Sequence, residues 1–167
     1  MKSASGDGSI DLRVPAVSKV CETAEFLYIR QQNIKEQRMR FILPAMLLIV
    51  GIIHLLPLSG VLSANRLQML YGIVVEDPNL EILMRHRAVL FGLLGAFLIA
   101  AAFLPSLQLA ALVAGFASVV SFLYLAAAVE NFNEQVNRVV IADKVAVICL
   151  VVGAVAYVMN RLIADQI

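Results

Sequence analysis

The 167-residue sequence has no tryptophan, two histidines, two cysteines and few charged side chains. Charged residues make up 15% of the chain and the formal net charge is +1, so no basic surface for nucleic acid is expected. Cys21 and Cys149 are too few for a disulfide framework. The sequence also lacks a glycine-rich phosphate loop, a nucleophile elbow, a zinc-protease motif and any familiar spacing of metal ligands. We therefore predict no catalytic residue and no metal site, and the sequence favours a protein that is not an enzyme.

The chain is rich in long apolar runs. Apolar residues make up 61% of it and the mean hydropathy is +0.88, whereas a soluble domain is typically about 45–50% apolar. Uncharged runs cover 41–65, 88–129 and 145–160. A helix needs about 20 apolar residues to cross a bilayer, and the middle run, with Pro105 near its centre, is long enough for two helices.

These runs predict an all-α fold, an integral membrane four-helix bundle preceded by an amphipathic helix. The bundle is expected within residues 41–162, in contact with the lipid bilayer. We expect the spans at about 41–56, 78–104, 107–129 and 141–162, followed by a short tail at 163–167.

Capping signals mark a short helix between the first two spans. Ser63 can cap a helix that contains Leu67 and Tyr71, and Gly72 can end it. Asp77 followed by Pro78 is the order expected where a helix begins, so the second span is predicted to start there.

Residues 1–40 form a leader ahead of the bundle. Its first nine residues are small and polar and are expected to be disordered. Apolar residues then follow at helical spacing and predict an amphipathic helix at about 15–38. Two interpretations stay open: the helix docks onto a partner or a second copy, or it lies on the membrane surface or on its own bundle.

Basic residues next to the first span suggest the orientation. Lys35, Arg38 and Arg40 directly precede it, and basic residues near a span favour the cytoplasmic side. Basic residues are about as frequent on the other side of the membrane, so their number alone does not decide the orientation. No cleavable signal sequence precedes the first span, so the leader would have to cross the membrane without one. We expect a multi-pass protein of the bacterial inner membrane, with a cytoplasmic leader and both termini cytoplasmic.

A stripe of small residues is predicted to be the packing face of the second span. On a wheel of about 100° per residue, Arg85 lies above Ala88, Gly92, Gly95, Ala96 and Ile99. Such stripes let helices approach closely in lipid. Leu98 lies away from this stripe and is expected to face lipid.

Polar residues gather toward one face of the membrane and form what we call the polar cap. Ionisable groups near the membrane interior tend to be paired and to mark function, but groups at headgroup depth cost little, and both interpretations stay open. We expect Arg85 to pair with Asp143, because each lies above a face of small residues. The cap is predicted on the non-cytoplasmic side and comprises His54, Glu81, Arg85, His86, Arg87, Glu130, Asn137, Arg138 and Asp143.

His54 and His86 are the two candidate ligands for a haem b. Axial ligation needs one neutral imidazole from each of two helices, and both histidines fall toward the same face of the membrane. Arg85 and Arg87 flank His86, however, and place it close to water. The sequence favours no cofactor, with haem b or a quinone as the alternatives.

Several short segments resemble a family of small bacterial four-helix membrane proteins that is loosely similar to the DoxX-like group. Some members carry the label phosphopantetheine adenylyltransferase, which is a soluble α/β enzyme with a His-x-Gly-His-type motif. This sequence has neither that motif nor a parallel-sheet pattern, so the label does not apply. The resemblance covers about 41–162 and rests on Leu70-Tyr71-Gly72-Ile73, Pro78-Asn79-Leu80, Arg85-His86-Arg87-Ala88-Val89-Leu90-Phe91-Gly92 and Val139-Val140-Ile141-Ala142-Asp143.

Three functions are compatible with these observations. The first is a non-enzymatic accessory or assembly subunit, or a small homo-oligomer, in which a membrane-protein partner or a second copy packs on the small-residue faces. The second, which the DoxX-like resemblance implies, is a redox or quinone-associated membrane protein that uses the polar cap. The third is transport of a small solute or lipid, although no broken helix or inverted repeat is apparent.

Overall fold

The fold is given by a computed structural model, which describes residues 26–28, 30–31, 41–129 and 131–164. The chain divides into two units, Met1–Arg38 and Met39–Ile167. In the first unit, residues 26–28 and 30–31 are helical. The rest of the predicted amphipathic helix, the polar start of the leader and Glu130 of the polar cap lie outside the described residues.

The second unit is built from helices joined by short connections. Helix α1 covers residues 41–55 and continues as a 3-10 helix at Leu56–Val61. The short helix α2 is Ala64–Tyr71, and another 3-10 turn, Pro105–Leu107, separates the third and fourth helices. The long helices are α3 at Pro78–Phe103, α4 at Gln108–Val129 and α5 at Glu134–Ala164.

Four segments are long and apolar enough to cross a membrane: Phe41–Val61, Pro78–Phe103, Pro105–Val129 and Glu134–Ile163. Strands are absent from the part of the chain that the structure describes. The predicted all-α four-helix bundle of a multi-pass membrane protein is confirmed.

The helix ends in the first connection follow from local chemistry. The Ser63 hydroxyl accepts the Arg66 N–H at 3.3 Å at the start of α2. Gly72 ends α2 in the left-handed conformation, with φ of 67°, and its N–H donates to the Gln68 carbonyl. Asp77 accepts the Asn79 N–H at 2.8 Å at the start of α3, as expected for an N-cap.

Helix α5 begins at Glu134, well before the predicted start near residue 141. The Asn133 side chain accepts the Val136 N–H at 2.8 Å and caps the helix, and Glu134 pairs with Arg138 at 2.7 Å within the first two turns. A helix of 31 residues is about 46 Å long, longer than a hydrocarbon core of about 30 Å. The first turns of α5 can therefore be polar, which is why hydropathy alone placed the start too late.

The core lies between α1, α3, α4 and α5 and is made of aliphatic and small side chains. The backbones of α1 and α3 approach most closely where two glycines face each other. A Cβ atom on Gly95 would lie 2.8 Å from the Gly51 carbonyl oxygen, and one on Gly51 would lie 3.0 Å from the Gly95 carbonyl oxygen. The main buried residues are Leu43, Leu47, Val50, Leu98, Ala101, Ala111, Leu112, Val119, Ala146 and Leu150.

The buried face of α3 is rotated from the predicted one. Leu98 is 0% exposed and belongs to the core, so the expectation that it faces lipid is wrong, and Ala96 is exposed. The buried residues of α3 are centred about 100° from Arg85 but about 60° from Arg87. They are Ala88, Gly92, Gly95, Leu98, Ala101 and Ala102. The prediction considered only the small residues of α3, whereas the core also contains the large Leu98 side chain.

We expect Gly95→Ala to destabilise the bundle more than Gly92→Ala. The new methyl group at Gly95 would meet the Gly51 backbone, which cannot rotate away, and overpacking of this kind costs about 1–3 kcal/mol. A methyl group at Gly92 would instead meet the end of the Leu58 side chain at 2.5 Å, and Leu58 is 41% exposed and free to move. Thermal unfolding in mild detergent measures the difference, and equal losses would contradict the assigned contact.

Candidate functional site

A cavity of about 280 Å³ lies at the end of the bundle that carries α2 and the loop before α5. Every α-helix of the second unit contributes to its wall. Most of the lining is aliphatic or aromatic, and four of its side chains belong to the predicted polar cap. The lining residues are Ile53, His54, Leu56, Pro57, Met69, Leu70, Tyr71, Arg87, Phe91, Phe122, Gln135, Arg138, Val139, Ala142 and Asp143.

The half-buried Arg87 side chain is surrounded by three aromatic rings. Its guanidinium carbon lies 5.2 Å from the centroid of Phe91, 5.4 Å from that of Tyr71 and 5.6 Å from that of Phe122. These rings come from α3, α2 and α4, and all three distances are within the range of cation–π attraction. Within the described residues, Arg87 makes no hydrogen bond and no ion pair. Its N–H donors are therefore left to whatever occupies the cavity.

Asp143 places a carboxylate in the same cavity. The residue is 9% exposed and shares a face of α5 with the buried Ala146 and Leu150. No hydrogen bond to its side chain is made by the described residues, and no ion pair within 4.0 Å joins it to Arg87. Among the described residues, every fully buried side-chain N or O atom has a hydrogen-bond partner. Because the Asp143 oxygens have none, they are not fully buried, and they are accessible from the cavity that Asp143 lines.

His54 is 3% exposed and uses both ring nitrogens within the protein. Its Nδ1 lies 2.9 Å from the Val50 carbonyl oxygen, and because a carbonyl only accepts, Nδ1 carries a proton. In the neutral ring, Nε2 then accepts the Ser118 hydroxyl at 3.2 Å. A serine beside a histidine can be a nucleophile with its base, but Ser118 does not line the cavity. The pair therefore links α1 to α4.

The structure does not bring the two candidate haem ligands together. His54 lines the cavity with its nitrogens already bonded, whereas His86 is exposed and does not line it. Axial ligation needs both imidazoles to face one iron. In the part of the chain that the structure describes, no group of three or more His, Cys, Asp or Glu side chains gathers at metal-binding distance.

The expected pair between Arg85 and Asp143 is not formed. Arg85 Nη1 donates to Glu81 Oε1 at 3.0 Å, one turn earlier on α3, and Arg85 Nε donates to the Val61 carbonyl at 2.8 Å. Arg85 thus fastens α3 to the 3-10 helix outside the cavity. The rotation of α3 explains the error, since it turns Arg87 and not Arg85 toward α5.

The rest of the polar cap divides between the rim of the cavity and the surface. Arg138 lines the cavity, but its side chain is 74% exposed and bonded to Glu134. Asn137 is exposed and does not line the cavity. The sequence therefore located the correct end of the bundle, and four of the cap residues, His54, Arg87, Arg138 and Asp143, meet at one cavity.

Two contributions to the site were missed from the sequence. The rings around Arg87 were not predicted, although Phe91 follows it by one helical turn. Asn133 was not predicted to take part either, but its Nδ2 donates to the Tyr71 carbonyl at 2.7 Å and holds the end of α2 against the start of α5. Burial raises the pKa of the Tyr71 hydroxyl above its usual value, and the nearby Arg87 charge opposes part of that rise.

Comparison with known protein families, with curated proteins and with solved structures gave no match to this chain. The chemistry of the cavity therefore has to be inferred from its own residues. The cavity combines a cation held by three rings, a carboxylate that receives no hydrogen bond from the described residues, and an apolar wall. These features together suit a ligand that is partly polar and mostly apolar.

Proposed function

We propose that this protein is an integral membrane binding protein that holds one small amphipathic molecule in the cavity. The observation that carries this proposal is the position of Arg87, a charged side chain inside a mostly apolar cavity with no acceptor among the described residues. Ionisable groups in membrane helices are costly and tend to mark binding or transport paths.

The size of the cavity limits the ligand. Pockets for small molecules are about 300–1,000 Å³, so a cavity of about 280 Å³ suits one ring-sized head group and not a large cofactor. A long substituent on the ring of the ligand would have to extend out of the cavity. The cage of Tyr71, Phe91 and Phe122 already contains the protein's own cation, which argues against a quaternary ammonium ligand.

A quinone is one ligand that satisfies these limits. It is a flat ring with oxygen acceptors that the Arg87 N–H donors could bond, and the DoxX-like resemblance supports the same choice. The role proposed is binding and not catalysis, because the serine nearest to His54 lies away from the cavity.

The first test compares two arginines of α3. Full-length protein purified in mild detergent should retain a small ring compound that is detected by native mass spectrometry and identified after extraction. Arg87→Gln should lower the retained amount by about tenfold or more, since hydrogen bonds to a charged group are worth about 1.5–3 kcal/mol. Arg85→Gln is the matched control, because Arg85 lies outside the cavity. Equal occupancy of both variants, or a wild-type protein that retains nothing, would contradict the proposal.

We further propose that the cavity opens toward the non-cytoplasmic side of a bacterial inner membrane, with both termini cytoplasmic. The basic cluster before the first span supports this orientation. In a protein without Cys21 and Cys149, Phe132→Cys should react with an impermeant thiol reagent added to intact cells, and Ser5→Cys should not. Phe132 is a better probe position than Asn133, which bonds α2 to α5. The reverse labelling pattern would overturn the orientation.

Self-association, or assembly with another membrane protein, is a second candidate role. The observation that favours it is the exposure of Ala96 and Ala100, one turn apart on the lipid-facing side of α3, a spacing that allows close helix contact. We propose a second copy as the partner. In the cysteine-free protein, Ala96→Cys should form a disulfide-linked dimer in membranes, whereas Val113→Cys on the exposed side of α4 should not. Monomer at both positions would argue against this contact.

A further inference from the structure

The two opposite charges in the cavity point to the chemistry of its occupant. Resting on the binding role proposed above, we propose that the ligand is a neutral aromatic ring bearing a hydroxyl group, which donates to Asp143 and offers an oxygen acceptor to Arg87. Both side chains line the same cavity, yet no ion pair within 4.0 Å joins them in the described structure.

Asp143 requires a donor. An ionised carboxylate only accepts hydrogen bonds, and this one is nine-tenths buried without a donor among the described residues. Its oxygens are accessible from the cavity, so an occupant of the cavity can reach them with a hydrogen-bond donor. A ligand hydroxyl is a small donor, and it can bond Asp143 without bringing in another charge.

Arg87 requires an acceptor. A guanidinium has five N–H donors, and the three rings around Arg87 attract its charge but accept no conventional hydrogen bond. The oxygen of a ring hydroxyl both donates and accepts, so a single hydroxyl, or two oxygens on one ring, can be bonded by both side chains. This bridging requires that the two charges stay apart, as they do here.

Two of the other polar side chains at the cavity already have partners. His54 has both nitrogens bonded to Val50 and Ser118, and Arg138 is mostly exposed and bonded to Glu134. The Tyr71 hydroxyl and the Gln135 amide also line the cavity, but both are uncharged, so Asp143 and Arg87 offer the strongest acceptor and the strongest donors there.

Charge distinguishes this ligand from an anionic head group. A phosphate would be attracted to Arg87, but it would lie in the same cavity as the carboxylate of Asp143, and like charges repel. A neutral ring avoids this repulsion, and its body can pack on the apolar wall formed by Phe91, Phe122 and Leu70. Water is the other neutral occupant, and the cavity is large enough for several molecules.

Two probes that differ in one hydrogen-bond donor test the proposal. They are 4-propylphenol and 4-propylanisole, in which the phenol hydroxyl is methylated. Binding to the full-length protein in mild detergent is measured by calorimetry and by the shift in the thermal unfolding midpoint. We expect the phenol to bind at least tenfold more tightly than the anisole to the wild-type protein.

The acceptor is tested with Asp143→Asn and the control Glu76→Gln, an exposed acid in the connection before α3 that does not line the cavity. The preference for the phenol should fall by about tenfold in Asp143→Asn, because a charge-assisted hydrogen bond becomes a neutral one, and should persist in Glu76→Gln. The wild-type comparison needs no variant, so it decides the question even if Asp143→Asn fails to fold.

The outcomes separate this inference from the binding role on which it rests. Equal binding of phenol and anisole would overturn the hydroxyl-bearing ligand and leave a binding protein for rings that lack a donor, such as a quinone. Binding of neither probe, with no thermal shift, would indicate a cavity filled by water and would overturn both proposals. A preference for the phenol that survives Asp143→Asn would also overturn the inference, because the donor would then bond elsewhere.

Discussion

The guanidinium of Arg87 contacts rings from three helices at once, and the walls of the cavity depend on this contact. Tyr71 ends α2, Phe91 lies on α3 and Phe122 lies on α4. Cation–π attraction is strongest where water is scarce, so it suits a site at the end of a membrane bundle. The same contact brings the end of α2 over the cavity, where the Asn133 side chain bonds the Tyr71 carbonyl.

The bilayer explains how the other polar groups are arranged. Inside the hydrocarbon region every backbone polar group must be bonded internally, which only helices achieve in a chain of this kind. Polar side chains in such helices need partners from the protein or from a ligand. His54 obtains both of its partners from α1 and α4, and Arg85 obtains its partners from Glu81 and Val61. Asp143 and Arg87 instead share a cavity without touching each other, which makes them the chemically available groups of the site.

Close packing beneath the cavity fixes the helices that form it. Gly51 and Gly95 let the backbones of α1 and α3 approach to contact distance, and this approach orients α3. Because α3 is oriented in this way, Leu98 points into the core while Arg87, three turns earlier, points toward α5. Arg85 and Arg87 lie about 160° apart around the axis of α3, so the orientation of α3 decides which of the two faces the cavity.

Apolar length and capping chemistry were sufficient to predict the class of fold from the sequence. Runs of about 20 apolar residues specify membrane spans, and Ser63, Gly72 and Asp77 act on neighbouring backbone groups, so their roles depend only on local order. The polar cap was also predictable as a set, because hydropathy places charged residues at one end of the helices. The start of α5 was not, since polar residues can continue a helix beyond the hydrocarbon core.

Only the tertiary structure decided which charged residues line the same cavity. The rotation of each helix about its own axis depends on packing against its neighbours, through contacts such as that of Gly51 with Gly95 and the filling of space by Leu98. A helical wheel gives the relative angles of residues on one helix but not the direction in which that helix faces. The sequence therefore determined a four-span bundle with its polar groups at one end, and packing decided that Arg87, and not Arg85, lines the cavity together with Asp143.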